Sequence, residues 1–589
     1  MPELESALTQ LETSSLIHLA ADEIDLSYIF KHALTQDAAY GTLLKTRRAQ
    51  LHREVAEAIE RLWPERAEDN AAVLALHFER AGLDDKALSY AAVAGDAARR
   101  AFAHTEALDF YERALNLAER LGDPRARALY VNRGNVFEVM GDFPRAAANY
   151  QAMIDSARRR ADLAMEADGL NHLLTTQGAT GDVPDAQAKL DRALELARRS
   201  GDQEMIVRAT WNIGLSIRFQ EPRRAADYFR QALDRARAAN LRELAAFAML
   251  DLDVELQLIG EWRQALDYGR RTLEEFRKLD NLPMIANALG MLAVTYYGRG
   301  DLAQSYAAAE EGLSISTTLQ NPWGMGYNGW HLCIVDTDSG RFDRALAHGL
   351  QALAVTQPMG IPLFIGTTKT WLARVYAELD QLQTAQALAD EGAQALEPLQ
   401  MPVWTAMSRA MQGRIALLRG EMPRAHELLD PLWREGDDSS ENLWGFSLAG
   451  PAIAQLALLD RRYEFGLHFC DWLLPHFERE EMRGHAAAMR YQRAQILMAL
   501  GDASRAEADL HNARTFAESA GIKILLWRID SSLAVLYQKQ GDAARADAAR
   551  RLAIDLIHAL ANGIADAQAR DGFLHGSEVI LALGLFKYD

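Results

Sequence analysis

Cysteine is almost absent from this chain: 589 residues contain only Cys333 and Cys470, with no CxxC and no Cys/His ligand spacing around either. That excludes a disulfide framework and a structural zinc site, and makes a reducing cytoplasm the expected compartment. No apolar run approaches the roughly 20 residues that span a bilayer. The opening MPELESALTQLETSSL places acidic residues where a secretory signal carries its basic region, so no membrane association is expected. Basic residues are also in deficit. Lys plus Arg number 63 against 82 Asp plus Glu, a formal charge of −19, which argues against nucleic acid as the main partner.

Catalytic motifs are missing too. No GxxxxGK[ST] occurs, so there is no backbone cradle for nucleotide phosphates. HREVA at His52 is not HExxH, and GFSLAG at Gly445 has Ala449 where GxSxG needs its second glycine. His32 and His52 read as structural residues, and the arginines at 158 to 160 and 198 to 199 as helix-ending charges on a solvated face. No catalytic residue, metal site or cofactor is therefore expected, and the chain reads as a non-enzyme.

What the sequence does have is a hydrophobic content of 49% with 25% charged residues, enough to build a large core, and a repeat. A Gly-acidic turn followed by a helix start reads GDFPRA from Gly141, GDVPDA from Gly181, GEWRQA from Gly260, GDLAQS from Gly300, GRFDRA from Gly340, GEMPRA from Gly420, GDASRA from Gly501 and GDAARA from Gly541. The gaps are multiples of about 40, and QEPRRA from Gln220, DQLQTA from Asp380 and DRRYEFG from Asp460 fill them. With AHTEAL near Ala103, about twelve units follow one another.

Each unit reads as two helices joined by a tight turn, because glycine tolerates the left-handed conformation that ends a helix, and Asp with Pro suits the next helix start. Small residues stand five positions after the turn: Ala146, Ala186, Ala225, Ala265, Ala345, Ala385, Ala425, Ala506 and Ala546. Bulky ones follow four later at Tyr150, Leu190, Phe229, Leu429 and Leu510, the spacing of a buried helical stripe.

Gly134, Phe137, Gly141, Phe143, Ala146 and Tyr150 together give a small–aromatic–Gly–aromatic–Ala–aromatic pattern that resembles tetratricopeptide (TPR) repeats, with a period of 40 in place of 34. Leu174 and Asp253 depart from it where a small residue belongs. The resemblance implies an all-α, right-handed superhelical solenoid of about twelve TPR-like helix pairs over residues 66–560. A winged-helix-like remnant with its linking helix is expected over 1–65, and a C-terminal capping segment over 561–589.

A second resemblance lies in residues 28 to 60 and in the stretch from 74 to 115. Phe30, Lys31, His32, Gln36, Tyr40, Arg48, His52, Ala56, Leu76, His77, Phe78, Ala87, Tyr90, Ala94, Gly95 and Ala98 match the join between a winged helix and helical repeats in bacterial STAND-type ATPases, including those fused to class III adenylate or guanylate cyclases. RDGFLHG at Arg570 to Gly576 looks like the end of such arrays. The implication is a sensor region that regulates an ATPase or cyclase module in the same chain or in another. The alternatives are the ligand-sensing region of a transcriptional activator and, more remotely, a helical-repeat enzyme.

The first helix of each unit lines the inner wall of such a superhelix. Counting from each turn places Asn135, Asn171, Thr210, Asn287, Tyr297, Trp330, Arg374, Arg414, Gln455 and Tyr491 there, a set of amides, aromatics and two arginines suited to a protein or peptide partner or a polar small effector. Trp323, Phe364, Trp404, Trp444 and Trp527 open or enter successive first helices, and read as wedges between units or, alternatively, as a partner groove.

Overall fold

In the computed structural model, which describes residues 2–19, 28–180, 185–218, 221–399, 401–434 and 443–583, the forty-residue period becomes a succession of helix pairs. The turn at Gly181 and residue Gln220 lie outside the described residues, as does the side chain of Ala186. Two compact units divide the chain at 136/137, inside the helix Ala126–Val139.

The first unit opens with a helix, Pro2–Thr13, and a two-stranded antiparallel hairpin in which Ile17 faces Phe30 and Leu19 faces Tyr28. Helices Ala33–Thr42, Lys45–Leu62, Ala71–Arg80, Asp84–Arg100 and His104–Leu121 follow. His32 immediately precedes the first of these and makes no side-chain cap bond. His52 is buried between neighbours, Nε2 at 2.9 Å from the Tyr40 hydroxyl and Nδ1 at 3.0 Å from Nδ1 of His77. Burial, then the charges of His77 and Arg80, hold its pKa below the ordinary imidazole value.

The second unit begins with helix Phe143–Arg159 and, among the described residues, stacks ten pairs, from Leu163–Thr180 with Ala186–Ser200 to Lys523–Lys539 with Ala543–Asn562. Local chemistry explains each turn. Gly141 has φ 72°, and where the unit lacks glycine Asp380 and Arg461 adopt the same left-handed conformation at 55° and 57°. Asp142, Asp301, Asp502 and Asp542 then accept the backbone N–H three residues on, satisfying a donor that the helix start leaves open. Ala146, Ala225, Ala265, Ala345, Ala385, Ala425 and Ala506 are fully buried, and Ala546 nearly so, at the close approach of paired helices. The result is an all-α, TPR-like solenoid.

A second left-handed grid sits between successive pairs, where Ala161, Asn240, Asp280 and Gln320 have φ of 52–56°. Glycine holds the same place at Gly122, Gly201, Gly360 and Gly521, with φ of 65–74°, so the punctuation between units is legible there and has little compositional signal at these four.

This solenoid is wound tightly enough for its turns to touch. Arg299 pairs with Glu481, 182 positions along the chain and so between four and five units away. Trp262 meets Trp444 with ring centroids 5.2 Å apart, Tyr297 meets His485 at 5.7 Å, and the Ala565 N–H donates to Asp343 at 2.8 Å. Trp444, Trp527 and Phe364 are buried in the resulting core, while Trp323 and Trp404 are half-buried. Among the described residues no helix is long and apolar enough to cross a membrane.

Gly300 lies at one such contact between turns. Its φ is 80°, and a Cβ there would stand 2.7 Å from Phe516 Cζ and 2.8 Å from the Gly484 backbone nitrogen. Gly420 has a similar φ of 73° with open space around it. We expect Gly420→Ala to cost about 1–2 kcal/mol, the penalty for a left-handed alanine, and Gly300→Ala about 2–4 kcal/mol because overpacking adds to it. Paired denaturation curves measure the difference; equal losses would mean that the turns do not press on each other there.

Candidate functional site

Where the coil closes, an interior cavity of about 300 Å³ remains. Its wall comes mainly from equivalent positions on successive first helices: Tyr297 on Leu282–Gly298, Asp338 on Pro322–Asp338, Arg374 and Glu378 on Pro362–Glu378, and Arg414 on Pro402–Leu418. Ser447 and Gln455 on Leu443–Leu459, His485, Tyr491, Gln492 and Gln495 on Arg483–Leu500, and Arg528 on Lys523–Lys539 continue it. The repeat makes this arrangement, since positions 40 or 41 apart fall on the same face of neighbouring units. Apolar surface is contributed by Leu302, Met411, Leu448, Leu458, Ile522 and Leu525. Glu578, on the short helix Ser577–Ala582, completes the lining.

Two ion clusters organise the polar side. In the first, Tyr297 donates its hydroxyl to Asp338 Oδ2 at 2.9 Å, and Arg374 pairs with the other carboxylate oxygen. In the second, Glu378 accepts from Arg414 at 2.5 Å and, through its other oxygen, from Arg528 at 2.9 Å. Arg528 also donates Nε to Glu578 at 2.8 Å and Nη1 to the Ile524 carbonyl at 2.7 Å. Burial pushes the Glu378 carboxyl up, but the charges of Arg528, Arg414 and Arg374 more than reverse this and hold it below the usual carboxylate range. Desolvation works the other way on His485: burial, with Arg374 adding to it, lowers its pKa to about 3, so its ring is neutral at physiological pH.

Three polar atoms on lining residues have no hydrogen-bond partner among the described residues: Arg374 Nε, Ser447 Oγ and His485 Nε2. Their residues are only 9%, 6% and 8% exposed, so these groups are withdrawn from bulk water without a hydrogen bond in return. An unmet buried polar group costs about 1–3 kcal/mol, and other such groups occur in the core, the Trp262, Trp330 and Trp371 indole nitrogens among them.

Five of the ten positions expected on the inner wall meet here: Tyr297, Arg374, Arg414, Gln455 and Tyr491. The other five do not. Asn135 lies half-buried on Ala126–Val139 in the first unit. Asn171 is buried and accepts from the Asn212 amide at 3.2 Å, while Thr210 donates to the Ile206 carbonyl at 2.7 Å. Asn287 is half-buried with its Oδ1 unpartnered, and Trp330 is packed in the core against His331 and Trp404. Among the cavity residues that the sequence reading missed, Asp338 and Glu378 carry a visible signal, being acidic at the position that Tyr297 occupies one and two units earlier. Arg528 and Glu578 carry none, because they arrive through coil closure, 150 positions from Glu378 in the case of Arg528.

No family model matches the chain. A stretch of 110 residues, 18% of the chain, is 31% identical to tetratricopeptide repeat protein 29 of Trypanosoma brucei brucei (strain 927/4 GUTat10.1) and covers 23% of that protein. Another of 97 residues, 16% of the chain, is 33% identical to an uncharacterized protein of Rhizobium meliloti (strain 1021) and covers 9% of it. The chain thus matches less than a quarter of either relative's length. Among solved structures, a Rap protein complexed with competence and sporulation factor has a TM-score of 0.41 at 12% identity, covering 68% of this chain and 99% of that one. The Cut9–Hcn1 hetero-tetramer of the APC/C has a TM-score of 0.31 at 12% identity, covering 83% and 96%.

Proposed function

We propose that this chain is a non-catalytic TPR-like sensor and scaffold that binds a protein or peptide in the interior cavity. Occupancy would be passed along the stack to a nucleotide-dependent signalling module, an ATPase or nucleotide cyclase, in the same chain or in trans. The observation that carries this reading is the cavity itself: residues from seven successive units converge on it with charged and amide side chains beside an apolar flank, the composition of a small-ligand or peptide site. Since each repeat contacts chiefly its neighbours, a ligand bridging several first helices shifts the pitch of the coil, and that shift is the signal. The link to an ATPase or cyclase comes from the sequence resemblance of residues 28 to 60 and 74 to 115.

The test is to fill the cavity without touching its ion pairs. Gln455→Trp introduces a bulky ring from a half-buried position on the wall. Affinity capture from native cells with the parent protein and with Gln455→Trp, both checked for equal melting temperature, should show the partner's apparent affinity reduced by about tenfold or more in the variant. Undiminished capture by a correctly folded variant would reject the cavity as the binding site. Purified partner should also carry or recruit ATP-hydrolysing or cyclic-nucleotide-forming activity that changes when the parent protein is added.

A further inference from the structure

We propose that the first unit carries a phosphate-binding site, in which Arg48, Arg80, Tyr40 and His77 hold the anion and the buried His52 couples its arrival to the uptake of a proton. No residue of this site lines the interior cavity, and the proposal does not depend on what that cavity binds.

The site starts from a local surplus of charge. The chain as a whole has a formal charge of −19, yet between Tyr28 and Arg53 the cations Lys31, Lys45, Arg47, Arg48 and Arg53 stand against a single acid, Asp37. Three helices gather part of that surplus. Tyr40, on Ala33–Thr42, has the guanidinium carbon of Arg48 at 5.0 Å from its ring centroid and that of Arg80 at 5.9 Å. Arg48 comes from Lys45–Leu62 and Arg80 from the end of Ala71–Arg80. Arg48 commits Nε to the Leu43 carbonyl at 2.9 Å, leaving its Nη groups uncommitted. Arg80 is exposed and, among the described residues, makes no hydrogen bond or ion pair. The neighbouring acids are already matched: Glu54 with Arg47, Glu57 with Arg53, Glu60 with Lys86 and Glu79 with Arg113, while Asp37 is exposed on the helix of Tyr40. Two like charges beside one ring repel, and the carbonyls that end the helix at Arg80 offset this only in part.

Behind the arginines runs a hydrogen-bonded chain with a fixed proton count. The Tyr40 hydroxyl is 2.9 Å from His52 Nε2, and His52 Nδ1 is 3.0 Å from His77 Nδ1. Two imidazole nitrogens share a hydrogen bond only when one carries the proton and the other does not. With the proton on His52 Nδ1, His52 Nε2 accepts from the Tyr40 hydroxyl and His77 has an Nε2–H to give. With it on His77 Nδ1, His52 Nε2 donates to the Tyr40 oxygen and the hydroxyl proton is the one left to give. The neutral chain thus offers one donor, at one end or the other, and an added proton lets both ends donate together. While the site is empty that cationic state is disfavoured. His52 is only 9% exposed, and burial, then the charges of His77 and Arg80, hold its pKa below the ordinary value, as burial and Arg80 do for His77. An anion beside the rings acts in the opposite direction, so it raises both values and draws in the proton. Arg80, the Arg48 Nη groups and the two chain ends together supply more donors than a carboxylate accepts, and suit the three terminal oxygens of a phosphate group.

Calorimetric titration of the protein with sulfate and with inorganic phosphate tests this. Sulfate reports the protons of the site alone, because it stays a dianion between about pH 6 and pH 8, where phosphate itself titrates. One sulfate per chain should bind, about tenfold more tightly at pH 6 than at pH 8 and with net proton uptake. Chloride at matched ionic strength should not displace it. Arg80→Gln, at an exposed position that carries no ion pair, should weaken binding by about tenfold or more at both pH values. His77→Gln, checked for the parent melting temperature, should cut the pH effect to about twofold or less. Should that variant fold poorly, Arg80→Gln and the pH comparison still decide. An N-acetylated, amidated tripeptide centred on phosphoserine separates the two sources of the group. Binding at least as tight as that of inorganic phosphate assigns the site to a phosphorylated protein, and binding of the free ion alone assigns it to inorganic phosphate. No saturable binding, binding that survives Arg80→Gln, equal affinity for sulfate at pH 6 and pH 8, or a pH effect untouched by His77→Gln would overturn the proposal.

Discussion

Glu378→Gln will lower the unfolding free energy by about 3–5 kcal/mol, the loss expected when one member of a buried ion cluster is neutralised and its partners stay behind. The Glu378 side chain is 2% exposed and receives one guanidinium on each oxygen. Glutamine keeps the shape but can accept on only one side, and its amide NH₂ faces a donor on the other. Arg528 retains Glu578, whereas Arg414 loses its ion-pair partner and, at 24% exposure, turns partly towards water. The sign with pH follows from the depressed folded-state pKa. The stabilisation is present above the ordinary glutamate value and is lost as pH falls through the lower folded value, so it is complete at neutral pH. Denaturant melts at pH 7 measure the loss, and Arg414→Met in the Glu378→Gln background should recover part of it, since the two changes share one interaction. A loss below about 1 kcal/mol would mean that the cluster is solvated and the cavity open to water.

The same cluster shows where the sequence is informative. Turn, cap and small-residue positions are legible because each obeys a local rule: left-handed backbone at Gly141, a side-chain oxygen at Asp142, a missing bulk at Ala146. The inner wall is half legible. Tyr297, Arg374, Arg414, Gln455 and Tyr491 follow from the register of the repeat, since a first-helix position that faces inward in one unit does so in its neighbours. Asn171 and Thr210 share that register yet are used between helices, because Asn212 and the Ile206 carbonyl offer partners there. Which part of the wall encloses a cavity depends on how many units make one turn, a cumulative property of small rotations that no single unit encodes. Hence Arg528 and Glu578 escape a reading by repeats, and so do the meetings of Trp262 with Trp444 and of Tyr297 with His485.

Asp253 departs from the repeat pattern, and its cost should appear as a pH dependence opposite in sign to that of Glu378. It stands where the repeat calls for a small residue, on the helix Arg242–Leu258, and is fully buried. The facing helix compensates with Gly269, where a Cβ would come within 2.8 Å of Asp253 Oδ2. Oδ1 accepts from Gln257 at 3.1 Å and from Thr295 at 3.4 Å, while Oδ2 has no partner. Burial therefore pushes its pKa up to about 7, with the two hydrogen bonds offsetting only part of the shift. Between an ordinary aspartate value near 3.8 and about 7, the folded chain holds a proton that the unfolded chain has released. Stability from this residue is thus full below the lower value and drains away as pH rises to the upper one, by on the order of 4 kcal/mol. Asp253→Asn cannot ionise and should remove that slope. The variant should match the parent near pH 4 and exceed it by a growing margin up to pH 7, the margin then remaining constant. Denaturation curves of both proteins across this range test the point; parallel curves would show that Asp253 is ionised in the folded chain and that water reaches Oδ2 beside Gly269.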